Sequence, residues 1–146
     1  MALEIEHKYL VKDGSYKIMA EDCVKIRQGY LCKEPLRTVR VRTWNDKGFL
    51  TIKGLTHGDV RDEFEYEIPF DDAVKLLTMC VGDMLEKNRY IVRYGGYVWE
   101  VDEFHGSREG ICLAEIELPC QDDTYELPPF VGENVTGNPA YYNSNL

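Results

Sequence analysis

The strongest constraint on this chain is an alternation at its start. In Glu4-Ile5-Glu6-His7-Lys8, followed by Tyr9-Leu10-Val11, an extended backbone puts Glu4, Glu6 and Lys8 on one face and Leu3, Ile5, His7 and Tyr9 on the other. One such strand alone reads as half-buried, with its charges in water. The same apolar and charged alternation recurs in at least four later segments. A sheet with so many charges on one face points to a face that encloses something charged.

The later segments are separated by turn chemistry. Lys12 to Ser15 is a turn, Tyr16 to Glu21 fits a turn or two of helix, and Cys23 to Leu31 reads as a strand with Gly29 marking a bulge. Leu36 to Thr43 sets Arg40 and Arg42 against Val39 and Val41. Asn45-Asp46-Lys47-Gly48 turns the chain into Phe49 to Lys53, where Thr51 and Lys53 oppose Leu50 and Ile52. Gly54 to Asp59 is loop. From Arg61 to Ile68, Arg61, Glu63, Glu65 and Glu67 face away from Phe64, Tyr66 and Ile68. Asp71 fits the N-cap of a helix over Asp72 to Cys80, with Ala73, Leu76, Leu77 and Cys80 on one stripe. Glu86 to Tyr94 and Tyr97 to Phe104 form a hairpin closed by Gly95-Gly96, with Lys87 and Arg89 in phase on one arm and Glu100 and Asp102 on the other. Ile111 to Leu118 sets Glu115 and Glu117 against Ala114 and Ile116. Asn138-Pro139 opens a short terminal helix.

These are about eight strands, mostly neighbours in sequence, and eight are enough to close an antiparallel barrel. The expected fold is mainly β: one domain over residues 1–146, with the apolar outer faces covered by a few short helices. Hydrophobic residues at 44% and charged ones at 29% suit a globular chain rather than a disordered or membrane one. No apolar run approaches the roughly 20 residues of a membrane span, and Glu4 and Glu6 interrupt any leader, so a cytoplasmic location is expected. Cys23, Cys32, Cys80, Cys112 and Cys120 lack C-x-x-C spacing and read as reduced thiols. A net charge of -9 argues against nucleic acid as a partner.

Lys8, Arg40, Arg42, Lys53, Lys87 and Arg89 share the charged phase with Glu4, Glu6, Glu63, Glu65, Asp102, Glu115 and Glu117. Facing inward together, such ions cost several kcal/mol each unless paired or bound to ligand. A polyphosphate with a divalent metal supplies the partners: Arg and Lys neutralise phosphate oxygens, and carboxylates hold Mg²⁺ or Mn²⁺. Any single E-x-E or R-x-R is ordinarily a solvated face. The in-phase recurrence across different strands carries the weight. His7, His57 and His105 read as surface or turn residues, and Tyr30 as a core or rim residue.

These residues, in this order, resemble the CYTH superfamily, the triphosphate tunnel metalloenzymes. The signature E-x-E-x-K is matched by Glu4, Glu6 and Lys8, followed by R-x-R at Arg40 and Arg42, T-x-K at Thr51 and Lys53, R-x-E-x-E at Arg61, Glu63 and Glu65, K-x-R at Lys87 and Arg89, the acidic Asp102, and E-x-E at Glu115 and Glu117. The resemblance implies an eight-stranded antiparallel tunnel that holds a triphosphate and cleaves or rearranges it with divalent metal. The chain's size and its ending are similar to the compact prokaryotic branch, which is mainly inorganic triphosphatases. His7 stands where relatives commonly carry Arg, on the outward phase, so little effect on chemistry is expected.

On that footing Lys8, Arg40, Arg42, Lys53, Lys87 and Arg89 would grip the phosphates. Glu4, Glu6, Asp102, Glu115 and Glu117 would hold Mg²⁺ or Mn²⁺, and Glu63 and Glu65 would orient the basic groups or aid the attacking water. With Glu4, Glu6 and Lys8 these last two complete the expected catalytic set, and Glu67 leaves open which two of the three glutamates reach the ligand. Inorganic triphosphate, nucleoside triphosphate and longer polyphosphate present the same oxygens. The alternatives are a protein that binds polyphosphate or nucleotide without hydrolysis, a related adenylate cyclase or thiamine triphosphatase, and a lipocalin-like barrel for an apolar ligand. Such domains often pair, so a homodimer is compatible with the sequence.

Overall fold

The computed structural model describes residues 3–146. Nine strands form one sheet: β1 (Leu3–Val11), β2 (Asp22–Cys32), β3 (Arg37–Trp44), β4 (Lys47–Gly54), β5 (Val60–Ile68), β6 (Val81–Tyr94), β7 (Tyr97–Phe104), β8 (Cys112–Glu117) and β9 (Val131–Asn134). The order is β5-β4-β3-β2-β6-β7-β8-β1-β9, and a further β5–β1 pairing closes the first eight into an antiparallel barrel. The expected closed, mainly β barrel is therefore what the chain forms. Strand β9 is an addition that the sequence reading does not contain.

Closure depends on β1, which serves three partners. Glu6 to Leu10 pair with β8, Leu3 to Ile5 with β5, and Tyr9 and Val11 with β9. At the seam the Glu6 N–H donates to the Asp59 carbonyl at 3.1 Å, and the Lys8 N–H to the Thr136 hydroxyl at 3.0 Å. No buried backbone donor of those two residues is left open, which is the condition for a stable seam.

Paired residues share a face, so the register transmits one inward phase around the barrel. Glu6 lies opposite Glu117, Lys8 opposite Glu115, Glu100 opposite Glu115, Arg89 opposite Asp102, Arg42 opposite Gln28, Arg40 opposite Thr51, and Lys53 opposite Glu63. Gly95 and Gly96, both at positive φ, make the two-residue turn between β6 and β7 that keeps this phase.

The outer faces are covered in two ways. Helix α2 (Phe70–Leu77, where α1 is Tyr16–Met19) lays Ala73 and Leu77 on Val41, with Leu50, Ile68 and Cys80 around them. Over β1, β6, β7 and β8 the cover is mostly the non-helical stretch after β8. Phe130, Val131 and Tyr125, with Tyr16 and Met19 from α1, pack on Tyr9, Val92, Trp99, Val101 and Ile116. The expected short helices do cover part of the barrel, and because two of them are too small for its circumference, Pro128 to Asn134 completes the cover.

Element ends differ locally. Helix α2 begins at Phe70 with Pro69 in the N-cap position, not at Asp71, because proline fixes an extended entry and needs no N–H there. It ends at Leu77, short of Cys80. Helix α1 stops at Met19, two residues short of Glu21. Strand β6 starts five residues before Glu86, and the terminal turns after Asn138 are 3₁₀ rather than α. Among the described residues no helix is long and apolar enough to cross a membrane.

Candidate active site

The inward charges line a cavity of about 440 Å³ inside the barrel. Of the residues singled out from sequence, Glu4, Glu6, Lys8, Arg40, Arg42, Lys53, Glu63, Glu65, Arg89, Glu115 and Glu117 reach it, while Lys87, Asp102 and Glu67 do not. Most of these charges are shielded: Glu4, Lys8, Arg40, Arg42, Arg89 and Glu115 are all buried.

Acidic groups converge at one side. Carboxylate oxygens of Glu4, Glu63 and Glu117 lie within 4.8 Å of one another. Lys53 bridges two of them, with Nζ 3.0 Å from Glu4 and 3.1 Å from Glu63. One ammonium cannot neutralise three carboxylates. Partial burial, followed by the charges of Glu4, Glu63 and Glu100, pushes the Glu117 carboxyl up to about 7. Burial and then Glu115 and Glu4 raise Glu6 well above the usual range, and burial raises Glu4 against the pull of Lys53. Three crowded oxygen donors short of positive charge suit a hard divalent cation such as Mg²⁺ or Mn²⁺.

Basic groups face them. Arg42 Nη2 lies 3.2 Å from Glu65 and Arg40 Nη2 3.5 Å from the same oxygen, which also accepts from the Thr51 hydroxyl at 2.8 Å. Lys8 Nζ sits 3.3 Å from Glu115 and donates to the Tyr141 carbonyl at 2.9 Å. The Arg42 and Arg89 guanidinium carbons lie 5.2 and 5.6 Å from the centre of the Trp44 ring, which holds both planes by cation–π contact. Burial, then Arg40 and Arg89, lowers Arg42 to about 9, a measure of how little counter-charge this group has. The buried Nε groups of Arg40, Arg42 and Arg61 have no hydrogen-bond partner among the described residues. Unused guanidinium donors in a closed space suit phosphate oxygens.

Asp102 belongs to a different arrangement. Arg89 binds it at two points and Lys87 at 2.7 Å, so despite burial, which alone would raise it, the carboxyl is held well below the carboxylate range. Lys87 has no exposed side-chain surface and is lowered to about 8 by that burial. Arg89 lines the cavity, while Lys87 and Asp102, expected to grip phosphate and to hold metal, do not line it and form a buried ion cluster with Arg89 instead.

Trp44 is in phase with Arg40 and Arg42 but carries no charge, so the pattern of ions does not mark it. Arg61 and Glu100, which have no role in the expected site, line the cavity beside their motif neighbours. The C-terminal residues Tyr142, Asn143 and Ser144 line it too, and no periodic signal marks them. His7 faces outward as expected, but its Nε2 lies 2.8 Å from Asp59, so it holds a loop whose Gly58 and Asp59 border the cavity.

Comparison with known proteins agrees with this geometry. The CYTH domain family matches residues 2–142. The chain belongs to the CYTH family. A curated inorganic triphosphatase of Acetivibrio thermocellus is 46% identical to this CYTH chain over 147 residues, covering 100% of it and 94% of the relative. The crystal structure of the inorganic triphosphatase NE1496 superimposes with a TM-score of 0.67 at 31% identity, covering 99% and 94% of the two chains. A Hippeastrum protein described as a putative adenylyl cyclase with dominant triphosphatase activity matches at a TM-score of 0.63 and 15% identity, over 80% of each chain, and shows the fold alone. In the CYTH frame the cavity described above is the bore of the barrel.

Proposed function

We propose that this protein hydrolyses inorganic triphosphate in its bore with Mg²⁺ or Mn²⁺. One observation carries the reading: the crowded carboxylates Glu4, Glu63 and Glu117 and the under-neutralised guanidinium groups of Arg40 and Arg42 line one cavity inside the barrel. The identity to the Acetivibrio thermocellus inorganic triphosphatase supports the same substrate.

In this reading Glu4, Glu63 and Glu117 would hold the cation, and Glu6 and Glu115 line the same cavity. When bound, the cation supplies charge neutralisation on the phosphates and acidifies water. Lys8, Arg40, Arg42, Lys53 and Arg89 bind the phosphate chain and fix it in line for attack, which is the main demand of phosphoryl transfer. Glu65 orients Arg40, Arg42 and Thr51. Asp102 anchors the Arg89 guanidinium, and Lys87 in turn holds Asp102. Five free thiols support a reducing, cytoplasmic setting.

The test is phosphate release from tripolyphosphate, ATP and thiamine triphosphate side by side with Mg²⁺, Mn²⁺ or EDTA. Metal-dependent release that favours tripolyphosphate is the expected result. Tight binding without release would favour a polyphosphate-binding protein instead.

A further inference from the structure

Strand β2 contributes no charge to the inner face. Its inward residues are Val24, Ile26, Gln28 and Tyr30, opposite Arg89, Lys87, Leu85 and Val81 of β6 in the register. Val24 and Ile26 are buried apolar groups, and Tyr30 lines the cavity. Gln28 is the exception. Its side chain has no exposure, and neither its amide nitrogen nor its amide oxygen has a hydrogen-bond partner among the described residues.

A buried amide with both ends unmet is strongly disfavoured, and an apolar residue would continue the pattern of Val24 and Ile26. Stability does not explain it. Its neighbour does: Gln28 pairs laterally with Arg42, whose buried Nε–H is likewise without an acceptor. An orphan acceptor and an orphan donor thus sit on laterally paired residues of one face, where side chains lie within reach of each other. On the far side of Gln28 is Leu85, which offers nothing polar.

We propose that Gln28 is a positioning residue for the triphosphate, acting through Arg42. With ligand in the bore the Gln28 carbonyl accepts the Arg42 Nε–H. That holds the Arg42 guanidinium from its Nε edge, with Nη2 tied to Glu65 and the remaining Nη N–H groups left to phosphate. The inference rests on the triphosphate reading above and adds to it a neutral group that locks the Arg42 end of the cradle.

The experiment measures tripolyphosphate binding by calorimetry in EDTA, where turnover plays no part, alongside KM, kcat and the melting temperature. Gln28→Met keeps the shape and removes both polar ends. It should raise the melting temperature by several degrees while weakening tripolyphosphate binding about tenfold, the scale of a hydrogen bond to a charged group. KM should rise by a similar factor. In an Arg42→Lys background, which has no Nε–H at that place, Gln28→Met should add less than about twofold. Gln28→Leu repeats the measurement with a different apolar shape if Met disturbs the packing. A variant that is more stable and binds tripolyphosphate as the wild type does overturns the role of Gln28 alone. A wild-type chain that binds no tripolyphosphate overturns the triphosphate reading with it.

Discussion

Arg89 grips Asp102 at two points, with Nε 2.7 Å from Oδ1 and Nη2 2.9 Å from Oδ2, and both side chains are almost wholly out of water. Lys87 reaches the same carboxylate, so one anion serves two buried cations. Removing one partner of such a cluster leaves charge buried and unpaired, which costs about 3–5 kcal/mol. Asp102→Asn should lose stability on that scale in urea denaturation. A D102N protein as stable as wild type, yet deaf to Mg²⁺, would return Asp102 to the metal.

The carboxylates at the other side of the bore predict the opposite stability effect. Glu4 and Glu63 share Lys53, and Glu117 has no comparable cation. Glu117→Gln should therefore cut metal-dependent turnover at least about a hundredfold while leaving the EDTA-treated protein as stable as wild type or more so. Turnover within about threefold of wild type would remove Glu117 from the cation's shell.

The pH dependence has a definite sign. Glu117 is raised from 4.5 to about 7, so the folded chain holds this proton more tightly than the unfolded one. Its stabilising contribution is complete below about pH 4.5 and is lost as pH rises through about 7. In EDTA the melting temperature should fall across that window, and E117Q should flatten the fall. Mg²⁺ should raise the melting temperature more at pH 8 than at pH 5, since protons and cation compete for the same oxygens. A Mg²⁺ effect that is equal at both values would contradict the assignment.

Arg42 is flanked by the Trp44 and Phe49 rings at 5.2 and 5.9 Å and tied to Glu65, an arrangement that fixes its plane before any ligand arrives. Arg42→Ala should raise KM for tripolyphosphate by about ten- to a hundredfold, with the smaller change in kcat, because the lost contact binds more than it reacts. Trp44→Leu should raise KM by about threefold through looser guanidinium planes. Unchanged KM and kcat in R42A would dismantle the cradle.

Which of these features the sequence reveals depends on how local their cause is. The inward phase of Glu4, Arg40, Lys53 and Glu115 follows from alternation within single strands, so it is readable residue by residue. Glu63 joining Glu4 and Glu117 is not, because it depends on β1 pairing with β5 across the seam, and no local pattern records which distant strands meet. Asp102 shows the same limit. Its phase is right for the bore, yet its register against Arg89 consumes both oxygens. The C-terminal residues Tyr142 to Ser144 lie in 3₁₀ turns without periodicity, and their approach to the cavity rests on long-range contacts such as Lys8 with the Tyr141 carbonyl.

The close approach of α2 to β2 gives a last test of how the barrel is built. A Cβ at Gly29 would lie 2.5 Å from Cys80 Sγ and 2.9 Å from Cys80 Cβ, closer than atoms pack. Gly29→Ala should therefore cost about 1–3 kcal/mol by overpacking. The strain can be relieved by β2 or by the chain after α2. Strand β2 is bonded on both edges, to β3 and β6, while Thr78 and Met79 beside Cys80 are exposed. The helix end should give way, so Tyr30 stays in the cavity wall and kcat/KM for tripolyphosphate should remain within about twofold of wild type. Cys80→Gly in the G29A background removes both close atoms and should recover more stability than Cys80→Ala, which removes only the sulfur. A large fall in kcat/KM for G29A would show instead that β2 moves, and that the bore's shape depends on the packing of α2 outside it.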